Sequence, residues 1–283
     1  MVRRLSALII CAALLGGCAP EVELDPIDRA RATNQNRSVS KDFPDHPVVI
    51  EDPFGFETSR LFFESSETVI VVDETVTAGL RGASIAMVAH APMLVYKPDK
   101  HRDIVNEIER LRAHTILTVG LVSLAPAQGT VRVIRDPGGW EALGEMTALA
   151  FDVVDVDHPG SAVAAIAGAD EDHPVWLRAT WADPVVGPRA EAQPFPAQAP
   201  RDADMAPKVV ALAESDLAAV TNARSFGAHV SLVVDPNPVR SRDTLRQLIG
   251  LSNRPLLALG QEFGTAEGLA ARIRAGEARI RAE

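Results

Sequence analysis

RLRAHTILTVG, residues 110–120, carries the end of a charged amphipathic segment into a short apolar run that stops on a glycine. Thr115–Val119 is near-continuously apolar, which reads as a strand buried on both faces of a parallel sheet. In a doubly wound α/β protein a glycine at that point would open a phosphate-binding loop. The chain continues LVSLAP (121–126), with no second glycine and no Lys-Ser or Lys-Thr pair. Gly120 therefore reads as a strand-exit turn, where glycine accepts a backbone conformation closed to other residues.

The residues before this strand show the unit it closes. TVIVV (68–72) is a strand and TAGLRGASIAMVAHA (77–91) a helix of small residues. PMLVY (92–96) is a second strand, and RDIVNEIERLRA (102–113) an amphipathic helix with Ile104, Ile108 and Leu111 on one face. The same βαβαβ order returns as KVVALA (208–213), SDLAAVTNARSFG (215–227), HVSLVV (229–234), SRDTLRQLIGL (241–251) and PLLALG (255–260). Ser215 and Ser241 stand where helix N-caps belong. A middle stretch repeats the order more weakly: VRVI (131–134), GGWEALGEMTALA, FDVVDV (151–156), PGSAVAAIAGA and VWLRATW (175–181).

The expected fold class is α/β, three tandem βαβαβ repeats. A unit of about 55 residues buries too little surface to stand alone, so the three must pack together. The expected core includes Ile70, Val71, Leu94, Leu117 and Val119 in the first unit, with Val210, Leu232, Leu257 and Leu259 in the third. Leu80 and Met87, with Leu217 and Val220, are expected between units. The organisation reads as a signal segment (1–17), a flexible polar tether (18–46), repeat 1 (47–129) and repeat 2 (130–182). A proline-rich linker (183–206) then leads to repeat 3 (207–283), whose last helix docks through Leu269 and Ile273.

The N-terminus, MVRR followed by LSALIICAALLGGC, is a basic region, a short apolar stretch and small residues before Cys18. LGGC (15–18) resembles the lipobox of bacterial lipoproteins, in which the chain is cut before a cysteine that carries diacylglycerol. That resemblance implies lipidation of Cys18 and attachment to the outer face of the cell membrane. Cys11 would leave with the signal, so no thiol remains for a disulfide or a Cys metal site. The 283 residues have a formal charge of −10. Loss of Arg3 and Arg4 makes the balance more acidic still, which excludes a general nucleic-acid binder. Aromatic residues are only 5% of the chain, so the core is built from aliphatic side chains.

The outer units resemble the cell wall-binding repeat 2 family of Gram-positive and actinobacterial surface proteins. The matching stretches are TVIVV, GASIAMVAHA, APMLVY, IVNEIERL and TILTVG. The resemblance implies three small sheets packed around a pseudo-threefold axis and association with a cell-wall polysaccharide or other envelope polymer. The family's Asp-Ala-Leu at the start of the first helix is AGL (78–80) here, and its double glycine is the single Gly120 or Gly260.

No catalytic signature is present: G-x-S-x-G, H-E-x-x-H, a Walker loop and G-x-G-x-x-G are all missing. Acids gather where first strands end, at Asp73, Glu74, Asp136, Glu214 and Asp216, and open parallel sheets bind ligands at such ends. The same positions suit helix caps and first-turn acids. Asp155 and Asp157 share a strand face and could hold a cation through oxygen. Asp-His-Pro occurs at 45–47, 157–159 and 172–174, where proline opens an element after a turn former. Trp176 reads as core, whereas Trp140 and Trp181 flank loops and could stack on sugar rings. No cofactor and no metal centre is expected. The reading is a lipid-anchored, extracytoplasmic, non-enzymatic protein associated with envelope polymer. A wall-polymer hydrolase using strand-end carboxylates and a solute-binding lipoprotein are the alternatives.

Overall fold

The computed structural model describes residues 25–124, 131–170, 173–201 and 203–282. The signal segment and Cys18 lie outside the described residues. In chain order the elements are α1 (Pro26–Gln35), β1 (Pro47–Ile50), α2 (Phe56–Phe62), β2 (Thr68–Val72), α3 (Val76–Ala89) and β3 (Met93–Val95). Next come α4 (His101–Leu111), β4 (Thr115–Val119), β5 (Arg132–Arg135), α5 (Trp140–Thr147), β6 (Asp152–Val156), α6 (Ala162–Ala167) and β7 (Val175–Ala179). The last are β8 (Lys208–Ala211), α7 (Leu217–Phe226), β9 (Val230–Leu232), α8 (Arg242–Leu248), β10 (Leu256–Leu259) and α9 (Ala266–Ala282).

Three parallel sheets result, ordered β3-β2-β4-β5, β6-β7 and β1-β10-β8-β9. At their centre the small-residue helices α3, α7 and α6 pack on one another. Helices α3 and α7 are buried around almost their whole circumference, which is why both lack a polar face. Close approach demands small side chains. A Cβ on Gly82 would stand 2.3 Å from Cγ1 of Val72. Leu80 and Val220 are fully buried in the common core, and Leu217 packs on Gly79 of the facing helix.

Strand alternation divides the interior. Leu257 and Leu259 of β10 face the core shared by all three sheets, while Leu256 and Ala258 face a second cluster that includes Leu269 and Ile273 of α9. The terminal helix is docked through the two residues its pattern singles out. Of the expected core, Leu232 departs: it is 37% exposed at the end of edge strand β9.

The sheets exchange strands. Strand β5, read from sequence as the opening strand of repeat 2, pairs with β4 and completes the first sheet. Strand β1, at the start of the stretch read as repeat 1 but ahead of that unit's first expected strand, pairs with β10 and completes the third sheet. Repeat 2 keeps only β6 and β7. A strand's composition reports that it is buried, and the sheet it joins is set by tertiary packing.

Two segments read as loose are packed. Residues 25–46 are not a free tether: Ile27 is buried beside Leu245 and Ile249, and Nδ2 of Asn34 donates to the carbonyls of Gln247 (3.1 Å) and Ile249 (2.9 Å). The proline-rich segment is a strap. Phe195 is buried, and Nε2 of Gln198 donates to Oγ of Ser66 (2.7 Å) and Oγ1 of Thr68 (2.9 Å).

Candidate functional site

The five strand-end acids fall on two different sheets. Asp73 closes the Gly120 turn: Oδ1 accepts from the Thr75 amide at 2.9 Å and Oδ2 from the Leu121 amide at 2.7 Å. Gly120 has φ +84°, and a Cβ there would collide with Oδ2 of Asp73 at 2.1 Å, so the glycine serves this turn. Glu74 forms an exposed ion pair with Nζ of Lys97 at 2.7 Å, and that hydrogen bond raises the Lys97 pKa. Asp136 is buried against Arg81, accepting from Nε and Nη2 at 2.9 Å each.

Glu214 is exposed on the turn after β8, and Asp216 follows at the N-cap of α7. Oδ2 of Asp216 accepts from the Asp52 amide at 2.7 Å. Burial pushes the Asp216 carboxyl above its ordinary pKa, and the nearby acids Asp52, Glu51 and Glu262 add to the shift. Asp52 itself is buried and accepts from Thr58 through N and Oγ1.

The remaining candidates resolve locally. Asp155 pairs with Arg178 at 2.7 and 3.0 Å. His46 bonds Asp45, His158 bonds Ser161 and His173 bonds Asp170, so the three Asp-His-Pro segments stay apart. Asp172 lies outside the described residues. Among the described residues no group of three or more His, Cys, Asp or Glu could hold a metal ion.

Side chains with binding chemistry converge elsewhere, in a cleft of about 600 Å³ at the carboxyl ends of β5 and β7. One wall is Pro137–Gly139 with Arg81, and the other runs from Trp176 to Asp183. Trp176 is 9% exposed, with the Arg81 guanidinium 5.4 Å and that of Arg178 5.8 Å from its ring centre. Trp181 is 38% exposed on the cleft. Trp140 lies outside the cleft lining, half-exposed, its Nε1 donating to the Phe151 carbonyl at 3.1 Å. The cleft thus offers an indole face, a guanidinium from Arg178 and a carboxylate from Asp183, on a floor fixed by the buried Arg81–Asp136 pair.

Sequence reasoning had Trp181 and Asp136 but missed the arginines. The i, i+2 spacing of Trp176 and Arg178 along one strand face was the signal for the second. Another cavity, of about 320 Å³, lies at the C-terminal ends of α3 and α7. Its arginines are engaged by carbonyls at helix and turn ends: Nη1 of Arg201 donates to His90 at 2.8 Å and Nη2 of Arg224 to Ala169 at 2.6 Å.

No family model matches the sequence, nor does any curated protein sequence. Among solved structures the fold is similar to Cwp6 from Clostridium difficile, with a TM-score of 0.51 at 14% identity over 81% of this chain and 48% of that one. Cwp8 from the same organism aligns with a TM-score of 0.46 at 15% identity over 81% of this chain and 51% of that one. The chain spans about half the length of these cell wall proteins. At this identity the likeness defines a class of fold, an α/β chain of repeated small parallel sheets.

Proposed function

We propose that the chain is an exported, envelope-associated binding protein, held to the outer face of the cell membrane by a lipid on Cys18. It engages a saccharide of an envelope polymer in the cleft between the first and second sheets and performs no reaction on it. The observation that carries this reading is Trp181, an indole exposed beside Arg178 and Asp183 in a cleft whose lining includes Arg81, held by the buried Asp136. A sugar ring stacks its C–H face on such an indole while its hydroxyls take hydrogen bonds from the flanking polar groups. The fold likeness to a cell wall protein supports the location, and the lipobox resemblance supports the anchor.

The test is co-sedimentation of the mature chain with purified cell-wall polysaccharide. Trp181→Ala should weaken binding at least about tenfold, the scale of one lost aromatic anchor. Trp140→Ala, outside the cleft, should leave binding unchanged. Equal binding by wild type and Trp181→Ala, or no binding by wild type, overturns the reading. For the anchor, Cys18→Ser should move the protein out of the detergent phase.

One observation favours hydrolysis instead. Burial, with smaller effects from Asp52, Glu51 and Glu262, raises the Asp216 pKa, which is the direction a general acid requires. Polymer degradation that Asp216→Asn abolishes would favour that alternative.

A further inference from the structure

The three sheets are built on one plan, and among the described residues the second is short of a strand. In the first sheet β2 lies between β3 and β4, and in the third β8 lies between β9 and β10. Among the described residues strand β6 has β7 on one side only. The identity of β7 is fixed by its outer edge. The amide of Leu177 donates to Oγ of Ser84 on α3 at 2.9 Å, just as the amide of Met93 in β3 donates to Oδ1 of Asn222 on α7 at 2.7 Å. In each case a polar side chain of a neighbouring repeat's central helix closes the outer edge of the second strand. So β7 corresponds to β3 and β6 to β2, and the open side of β6 is the place that β4 and β10 occupy in the sister sheets.

The sequence explains the gap. After β7 the chain runs directly into the proline-rich strap, ADPVVGP at 182–188, where a ladder strand would lose its donors.

The chemistry of the open side follows from the ladder. The Asp152 amide donates to the Pro174 carbonyl, and the Thr180 amide to the Val156 carbonyl, both at 3.0 Å. Alternation therefore commits the backbone of Asp152, Val154 and Val156 to β7. The N–H and C=O groups of Val153 and Asp155 face outward, without a backbone partner among the described residues. Val153 and Val154 are 43% and 41% exposed, whereas the strands at this position in the sister sheets, β2 and β8, are almost wholly buried. On one face of the two-stranded sheet a cavity of about 540 Å³ lies over Val154, Val175 and Leu177 and against Ala164 and Ala165 of α6, with Asp152, Asp170 and His173 also lining it, and it has room for apolar side chains. Asp152 and Asp157 add exposed negative charge at the two ends of the strand.

We propose that β6 is a strand-addition site for an extended segment of a partner protein, apolar at alternate positions and basic at its ends, lying parallel to β6 as β4 lies beside β2. Main-chain hydrogen bonds to Val153 and Asp155 hold it, and the Val154 cavity and flanking aspartates select it. A second copy of this chain fits poorly, because β6 paired with itself gathers the aspartates of both copies at one seam.

The probe is the peptide KTILTVK, the β4 sequence with lysine at each end, added to the full mature chain. Amide hydrogen exchange at Val153 and Asp155 is fast in the free chain and slows at least about tenfold with peptide. The acidic peptide ETILTVE gives no such slowing. Val153→Pro removes an outward donor without touching the β7 ladder, and it abolishes the peptide's effect on Asp155 while circular dichroism stays unchanged. Slow exchange at both amides in the free chain would mean that the side is already covered, by this chain or by a second copy that sedimentation would reveal. That result, or no slowing with KTILTVK, or equal slowing by both peptides, overturns the proposal.

Discussion

Arg81 and Asp136 have side chains only 1% and 2% exposed, and their paired hydrogen bonds tie α3 to the end of β5. Arg81 also donates to the Gly139 carbonyl at 2.6 Å, so its charge is satisfied on two sides. Removing one partner would strand the other charge in the interior. Asp136→Ala should therefore cost about 3–5 kcal/mol in chemical denaturation, and a loss under about 1 kcal/mol would show that the pair is solvated. Lys208 makes a contrasting case. Its amine donates to Ser231 and Gln247, yet burial, with a smaller effect from Arg37, depresses its pKa to about 8. The unfolded value is about 10.4, so between pH 8 and 10.4 the unfolded chain binds more protons and this lysine makes stability rise with pH. Lys208→Met should be more stable than wild type at pH 7, by about 1–3 kcal/mol, with the gap closing by pH 10.5. A gap that does not change with pH would contradict the shifted pKa.

At the scale of elements, legibility followed local pattern. Thr115–Val119 and Leu256–Leu259 are apolar runs ending on glycine, and both are buried strands; the small-residue runs became the central helices. The partner of a strand was not legible, because Arg132–Arg135 and Pro47–Ile50 carry no mark of the sheet they complete. Helix α1 was missed because it docks through one apolar residue, Ile27, and through Asn34, which together make no periodicity. The cleft was half legible: Trp181 stood out as a rare aromatic, but the glycine pair opposite comes from a distant segment. The strap is the element whose role only the fold reveals. Gln198 meets Ser66 and Thr68, both buried, and accepts from the Glu67 amide at 3.2 Å. Gln198→Ala should destabilise by about 1–3 kcal/mol through the groups it leaves unpaired. Faster proteolysis within 183–201 should accompany that loss, and unchanged proteolysis would mean that the strap is held by other contacts.

At the scale of the whole molecule the repeats form one interlocked body, since sheet 1 ends on a strand from repeat 2 and sheet 3 on β1, from the start of repeat 1. Isolated residues 65–125 lack β5 as well as the neighbouring helices, and should give a poorly dispersed NMR spectrum. The most direct measurement uses the placement of the tryptophans, at 140, 176 and 181, so that fluorescence reports the second repeat alone. Leu257, 1% exposed, lies in the third sheet and faces the shared core. Leu257→Ala should cost about 2–5 kcal/mol as a large-to-small core change. Chemical denaturation followed by tryptophan fluorescence and by far-ultraviolet circular dichroism should give coincident transitions in wild type, and Leu257→Ala should shift both by the same amount. A fluorescence midpoint that stays in place while circular dichroism develops a separate, earlier transition would show that the repeats are independent domains.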